Sequence, residues 1–314
     1  MNANKQRKAF TFIELLFVIV ILGIVGGMTL EAVRQYYNGI YRTQEIMKRT
    51  ETADHVLDQL KNYFEYALAD SIVNLDKQGA ANACYGPPVP NDSGDYTVAF
   101  VAADEDSLRT TGSSPGWSSE VQLNAVANTI TEQDANFTAA DGIVQGLGST
   151  LADSAIYKKN KNDINLNLGD IIGCVRFNLN VGDGIGGYHR ISAVDLPNNR
   201  LTLNTEYNVS DGHLKYLLRT GYAFRVDHSN GGNFYMYTNF RPWKGERYDQ
   251  NGTKNLLAEK VNHLYLSYNM PESSSSVGTV ITLKVCMQGL DENLSDSDDD
   301  TLQICRERSV HVRY

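Results

Sequence analysis

The chain has 314 residues, with 37 acidic against 28 basic side chains and a formal net charge of −9. A surface that acidic is soluble and repels phosphate backbones, which weighs against nucleic acid as a partner, a local basic patch aside. The six histidines show no metal-ligand spacing and there is no Cys-x-x-Cys, so the familiar sequence signatures of a metal centre are absent.

The first predicted element is a membrane span. From Ala9 to Leu30 the residues are apolar or small apart from Thr11, Thr29 and Glu14. As a helix this run is roughly 33 Å long, against a hydrocarbon core of about 30 Å. The flank before it carries Lys5, Arg7 and Lys8 and no acid. The positive-inside rule therefore keeps the N-terminus cytoplasmic and exports everything after Leu30. A charge at mid-bilayer costs about 2.5–3.5 kcal/mol, and Glu14, near the cytoplasmic end, escapes part of it by reaching towards the headgroups. Taken alone, it is an interfacial glutamate on a signal anchor, or part of a signal peptide cut beyond Val25, where Gly26 and Gly27 supply small residues.

The stretch Lys8-Ala9-Phe10-Thr11-Phe12-Ile13-Glu14-Leu15-Leu16 resembles the prepilin motif of type IV pilins and type II secretion pseudopilins. The resemblance implies cleavage between Ala9 and Phe10 by a prepilin peptidase, N-methylation of Phe10, and Glu14 as the fifth residue of the mature chain. A neighbouring subunit's Glu14 would then neutralise the new ammonium of Phe10, so two charges disfavoured in lipid are satisfied by assembly. The family usually has Gly before the cut, and Ala9 in its place implies slower processing. Loss of Lys5, Arg7 and Lys8 with the leader takes the net charge from −9 to −12. The implied partners are the peptidase, other major and minor pilins or pseudopilins, and an inner-membrane assembly platform.

The helix is expected to run past the membrane, because no proline occurs before Pro87 and apolar residues continue at helical spacing. The stripe comprises Val33, Tyr37, Ile40, Met47, Val56, Leu60, Phe64, Ala67, Leu68 and Ile72, interrupted by a polar patch from Thr50 to Asp54. A helix from Phe10 to about Ile72 is roughly 90 Å long, its outer half amphipathic and packed on a globular body. Gly23, Gly26 and Gly27 either loosen the span and allow close helix approach or are simply tolerated in lipid.

Residues 85 to about 165, rich in small and polar side chains with short apolar runs such as Val98–Ala102, suggest an irregular insertion. Strands become legible from about Asp170. Tyr188–Asp195 and Arg200–Asn204 flank Leu196-Pro-Asn-Asn199, and Tyr222–His228 and Phe234–Asn239 flank Ser229-Asn-Gly-Gly232, a turn sequence able to supply positive φ angles. His263–Asn269, Thr279–Met287 and Leu302–Arg313 follow. Leu256–Tyr268 with Val280–Val285 resembles the late region of large minor pilins of the PilW type and J-type pseudopilins. Length also favours a minor subunit.

Four cysteines permit three pairings, and free thiols are compatible too. Alternation places Cys286 opposite the apolar face of Ile281, Leu283, Val285 and Met287. It places Cys305 opposite that of Leu302, Ile304, Val310 and Val312, so Cys286–Cys305 is the expected bond. Cys84–Cys174 is what remains. Between the first two lies an acidic run in which Asp291, Asn293 and Ser295 resemble the opening of a calcium loop. Asp296 replaces its glycine and Leu302 its closing glutamate, so it is no EF-hand, and calcium competes with a plain solvated turn. Gly182-Asp-Gly-Ile-Gly-Gly187 leads into an alternating strand and reads as a turn, not a nucleotide loop.

The expected architecture is α+β: a long N-terminal transmembrane-to-amphipathic helix packed on an antiparallel β-sheet, a pilin-like lollipop. The expected divisions are leader 1–9, membrane half 10–30, amphipathic half 31–72, irregular region 73–165 and sheet domain 166–314. The expected role is a minor pilin or pseudopilin that primes or caps a type IV pilus or type II secretion pseudopilus, not an enzyme. It would sit in the bacterial inner membrane with its C-terminal domain periplasmic. The alternatives are a signal-anchored adhesin or calcium-binding module, a DNA-uptake pilin, or an anchored enzyme with scattered catalytic groups.

Overall fold

The computed structural model describes residues 11–75, 97–108, 116, 128–131, 135–159, 188–204, 214–269, 280–289 and 303–312. Its architecture is α+β, a long apolar N-terminal helix followed by antiparallel sheets. Helix α1 spans Phe12–Phe64, 53 residues or roughly 80 Å. It buries Ala53, Val56, Leu57, Leu60 and Phe64, a stripe at spacings of three and four residues. Val33, Tyr37 and Met47, expected on that stripe, are exposed.

The helix stops short of Ile72. After Phe64 the backbone leaves the helical path, Ala67 bridges to Ala102, and the Leu68 N–H donates to the Val101 carbonyl at 2.9 Å. Sheet pairing takes the groups that another helical turn would have used. A 3₁₀ turn at Ala69–Ser71 leads into β1, Val73–Leu75.

Among the described residues nine strands form the larger sheet. They are β1, β2 (Thr97–Ala103), β3 (Thr129–Thr131), β4 (Ala155–Lys159), β5 (Tyr188–Asp195), β6 (Arg200–Leu203), β7 (Leu214–Asp227), β8 (Asn233–Phe240) and β9 (Thr253–Ala258). β7 is its spine. The first part, from Leu214 to Leu218, pairs with β4, and the part from Gly221 to Asp227 pairs with β8, while β2 runs along the other edge. A smaller sheet has the order β10 (Val261–Asn269), β11 (Val280–Met287), β12 (Ile304–His311).

This arrangement corrects the division at residue 165. β1, β2, β3 and β4 lie in the same sheet as β5 and β7, so the stretch expected to be irregular supplies four of its strands. Every residue of β2 is buried, because both faces are covered. Val98, Phe100 and Ala102 join the core beneath α1, while Ala99, Val101 and Ala103 join a second core with Leu218, Phe240, Trp243 and Tyr248. A strand covered on both sides does not alternate, which hid it among short apolar runs. A third core packs α2 (Phe137–Gly146) on β3, β5 and β6 through Ile130, Phe137, Val144 and Leu201.

The hairpins β5–β6 and β7–β8 form around the turn sequences read above. In the second, Gly231 and Gly232 carry the positive φ angles, 71° and 78°, and Asn230 sits in a short 3₁₀ turn. A Cβ on Gly232 would stand 2.4 Å from the Val261 carbonyl oxygen, so that position admits no side chain.

Candidate assembly interface

The N-terminal end of α1 is closed by two residues. Thr11 caps the helix, its hydroxyl accepting from the Glu14 N–H at 3.4 Å. The Glu14 carboxylate returns to accept from the Thr11 N–H and the Thr11 hydroxyl, both at 3.0 Å. This reciprocal box satisfies donors that have no partner inside the helix. In hydrocarbon, where water is absent, such satisfaction matters more. Both bonds land on Oε2, leaving Oε1 of Glu14 without a hydrogen-bond partner among the described residues. The Thr-x-x-Glu spacing of this cap is legible in the sequence at Thr11 and Glu14.

Beyond the cap, α1 is long and apolar enough to cross a membrane, and none of its apolar window is buried. Phe12, Phe17, Leu22, Met28 and Leu30 are all exposed, and aromatic exposure continues through Tyr36, Tyr37 and Tyr41. Gly23, Gly26, Gly27 and Gly39 have nothing within 4 Å of where a Cβ would stand. The bare part and the packed part of one helix are therefore continuous.

The packed part is held by apolar contact and by a row of charges. β12 turns two arginines towards α1: Arg308 pairs with Asp58, and Arg306 lies 3.9 Å from Asp54. These two basic residues break the apolar alternation read for β12. They also give Asp54, part of the polar patch, a partner. One turn earlier, Arg49 donates to the carbonyls of Gln288 and Gly289, just past the end of β11, and Glu45 stands 3.5 Å away. Exposed ion pairs contribute little, but the Arg49 side chain is only 11 % exposed, where charge-assisted hydrogen bonds to carbonyls are worth about 1.5–3 kcal/mol.

Cys286 and Cys305 are directly opposite in the β11–β12 register and are joined by a disulfide, their Cα atoms 4.0 Å apart. Cys286 is 1 % exposed, while Thr282 and Lys284 on the same face of β11 stay partly exposed, so the face is polar along the strand and closed at the disulfide. In the register His263 of β10 stands next to it on the other side. The bond closes the segment that contains Asp291, Asn293 and Ser295. Those three residues lie outside the described residues, as do Ala9, Phe10, Cys84, Cys174 and the turn 182–187. Among the described residues no group of three His, Cys, Asp or Glu could hold a metal ion.

A family model described as Prokaryotic N-terminal methylation motif matches residues 4–30. The chain carries that motif. The motif supports the type IV pilin and pseudopilin family and implies, in general terms, a prepilin peptidase substrate with pilin-type assembly partners. The matched residues include Ala9, Phe10, Thr11 and Glu14, the same stretch that forms the cap and the start of the bare helix. No curated protein and no solved structure matches the chain.

Proposed function

We propose that this chain is a minor pilin or pseudopilin of the PilW or J type, which primes or caps a fibre assembled at the bacterial inner membrane. The observation that carries the reading is the single helix α1, bare and apolar where the methylation motif lies and packed against the sheets from Ala53 onward. Bare apolar helix must be covered by lipid before assembly, and neighbouring helices can replace lipid afterwards without exposing it to water. The sheets remain in the periplasm, carried on the outer half of the helix.

In this reading the peptidase cuts between Ala9 and Phe10 and leaves a methylated ammonium on Phe10. Glu14 of an adjoining subunit meets that ammonium through Oε1, while Oε2 continues to cap its own helix. A charge pair in lipid is far less costly than either charge alone, so pairing favours insertion of each subunit beside the last. Energy for extrusion comes from the ATPase of other proteins of the assembly machinery.

Mass spectrometry of the protein recovered from native membranes tests the processing step. The expected chain starts at N-methyl-Phe10; an intact leader or a cut beyond Val25 overturns the reading. Recovery in sheared fibres tests the assembly step. Glu14→Ala should be cleaved and exported normally yet be depleted from fibres at least tenfold, and normal incorporation rejects the charge-pairing account.

A further inference from the structure

Where α1 ends, its last turns face the end of β2 and the middle of β7 across a cleft of about 620 Å³, within the size range of small-ligand sites. Tyr63, Tyr66 and Tyr222 line it, with Asp104 and Arg219. Asp104 follows directly on β2 and is held in place by its backbone: its N–H donates to the Leu217 carbonyl at 2.8 Å, and its carbonyl accepts from the Ser107 hydroxyl at 3.0 Å. Arg219 arrives through an irregularity in the β2–β7 register, where Val101 is opposite Gly221 but Ala103 is opposite Leu218. Such bulges re-aim side chains.

The cleft contains an unmet demand. The Asp104 side chain is only 4 % exposed, yet its Oδ2 has no hydrogen-bond partner. Among the described residues Arg219 forms its ion pair with Asp104, with Nε 3.9 Å from Oδ1, beyond hydrogen-bonding distance, and that Nε has no hydrogen-bond partner. Arg219 spends another donor on the Leu147 carbonyl, 3.3 Å away. A buried carboxylate oxygen without a donor is unfavourable unless something else supplies one.

Charge and wall chemistry say what that is. Among the described residues that line the cleft, Asp104, Glu105 and Asp106 are acidic and Arg219 is basic. A phosphate or carboxylate is therefore repelled. Tyrosine ring faces attract cations, and a planar or compact N–H donor would fill the empty Oδ2 position. We propose that the cleft binds an alkylammonium or guanidinium group, with Asp104 as its anionic anchor and the tyrosines as its walls. The group belongs either to a free organic amine or to a lysine or arginine side chain of an adjoining subunit. The free amine does not depend on the assembly reading of the N-terminal helix; the neighbour's side chain rests on it.

The test uses the full chain in detergent micelles, titrated calorimetrically with N-propylguanidinium and with N-propylurea, its neutral counterpart. The expected result is saturable binding of the cation, no binding of the urea, and at least a tenfold loss of cation affinity in Asp104→Asn. Equal binding of both compounds, or an affinity unchanged in Asp104→Asn, overturns the proposal, as does no binding of either. Thermal unfolding of Asp104→Asn checks that the variant is folded, and Tyr66→Leu, which removes one wall, supplies a second variant expected to weaken the cation. Repeating the titration in native membranes separates the sources. Uptake unchanged there means a free amine; uptake blocked there but restored in micelles means a neighbour's side chain already fills the cleft.

Discussion

The rings of Phe64 and Phe100 lie 4.4 Å apart, centroid to centroid, and join the last residue of the long helix to the middle of a buried strand. Phe224 completes the cluster at 5.8 Å from each. All three are fully buried. Offset aromatic contacts of this kind add to area burial. The contact fixes where the helix is attached to the sheet, and so how the body is carried.

Phe64→Ala should destabilise the folded body by about 3–5 kcal/mol, because the surrounding sheet cannot collapse into the space. Chemical unfolding in detergent, followed by the fluorescence of buried Trp243, reads the loss. Leu15→Ala, on the bare part of the helix, should leave that transition unchanged.

Gly221 sits where β7 is irregular against both neighbours. A Cβ there would meet the Phe240 ring at 2.7 Å and Pro242 Cγ at 2.9 Å. Gly221→Ala should cost about 1–3 kcal/mol from overpacking, visible as a lowered melting temperature. Gly142→Ala, with open space around it, should be neutral or slightly stabilising in its helix.

The disulfide closes a loop of sequence separation 19, worth about 3 kcal/mol on the chain-entropy account. Cys286→Ser and Cys305→Ser should each lose most of that, and the double variant should lose no more than either single. A double loss equal to the sum of the singles would mean that the two sulfurs act separately.

Burial raises the Asp104 carboxyl above its usual range, with Arg219 opposing and Asp106 adding to the shift. A carboxyl raised on folding binds its proton more tightly in the folded state. Its stabilising contribution is present in full below the unfolded value of about 3.9 and is lost as pH rises through the folded value. Asp104→Asn should therefore raise the melting temperature near pH 7 and give no gain near pH 3. Asp153 runs the other way. The hydrogen bond from Lys244 is the largest cause holding it low, so its contribution is present at neutral pH and is lost on acidification. Lys244→Met should flatten that part of the acid limb in a melting-temperature series.

Local patterns alone determined a good deal of this protein. An apolar run marks a helix long and apolar enough to cross a membrane, because length and hydropathy are properties of neighbours in the chain. Alternation and turn residues located β5, β6, β8, β11 and β12 within a residue or two, for the same reason. Thr11 and Glu14 were equally legible as a cap, three residues apart. What the tertiary structure decided depends on distant partners. Phe64 ends the helix because Ala67 and Leu68 are taken by β2, more than 30 residues on. β2 and β4 are not legible as strands, since a strand covered on both faces, or a short one, has no period to read. Arg306 and Arg308 face the helix because Asp54 and Asp58 wait there, some 250 residues earlier. The buried carboxylate of Asp104 is an ordinary surface acid in the sequence. The bulge of β7 and the end of α1 line the cleft beside it and leave Oδ2 without a hydrogen-bond partner.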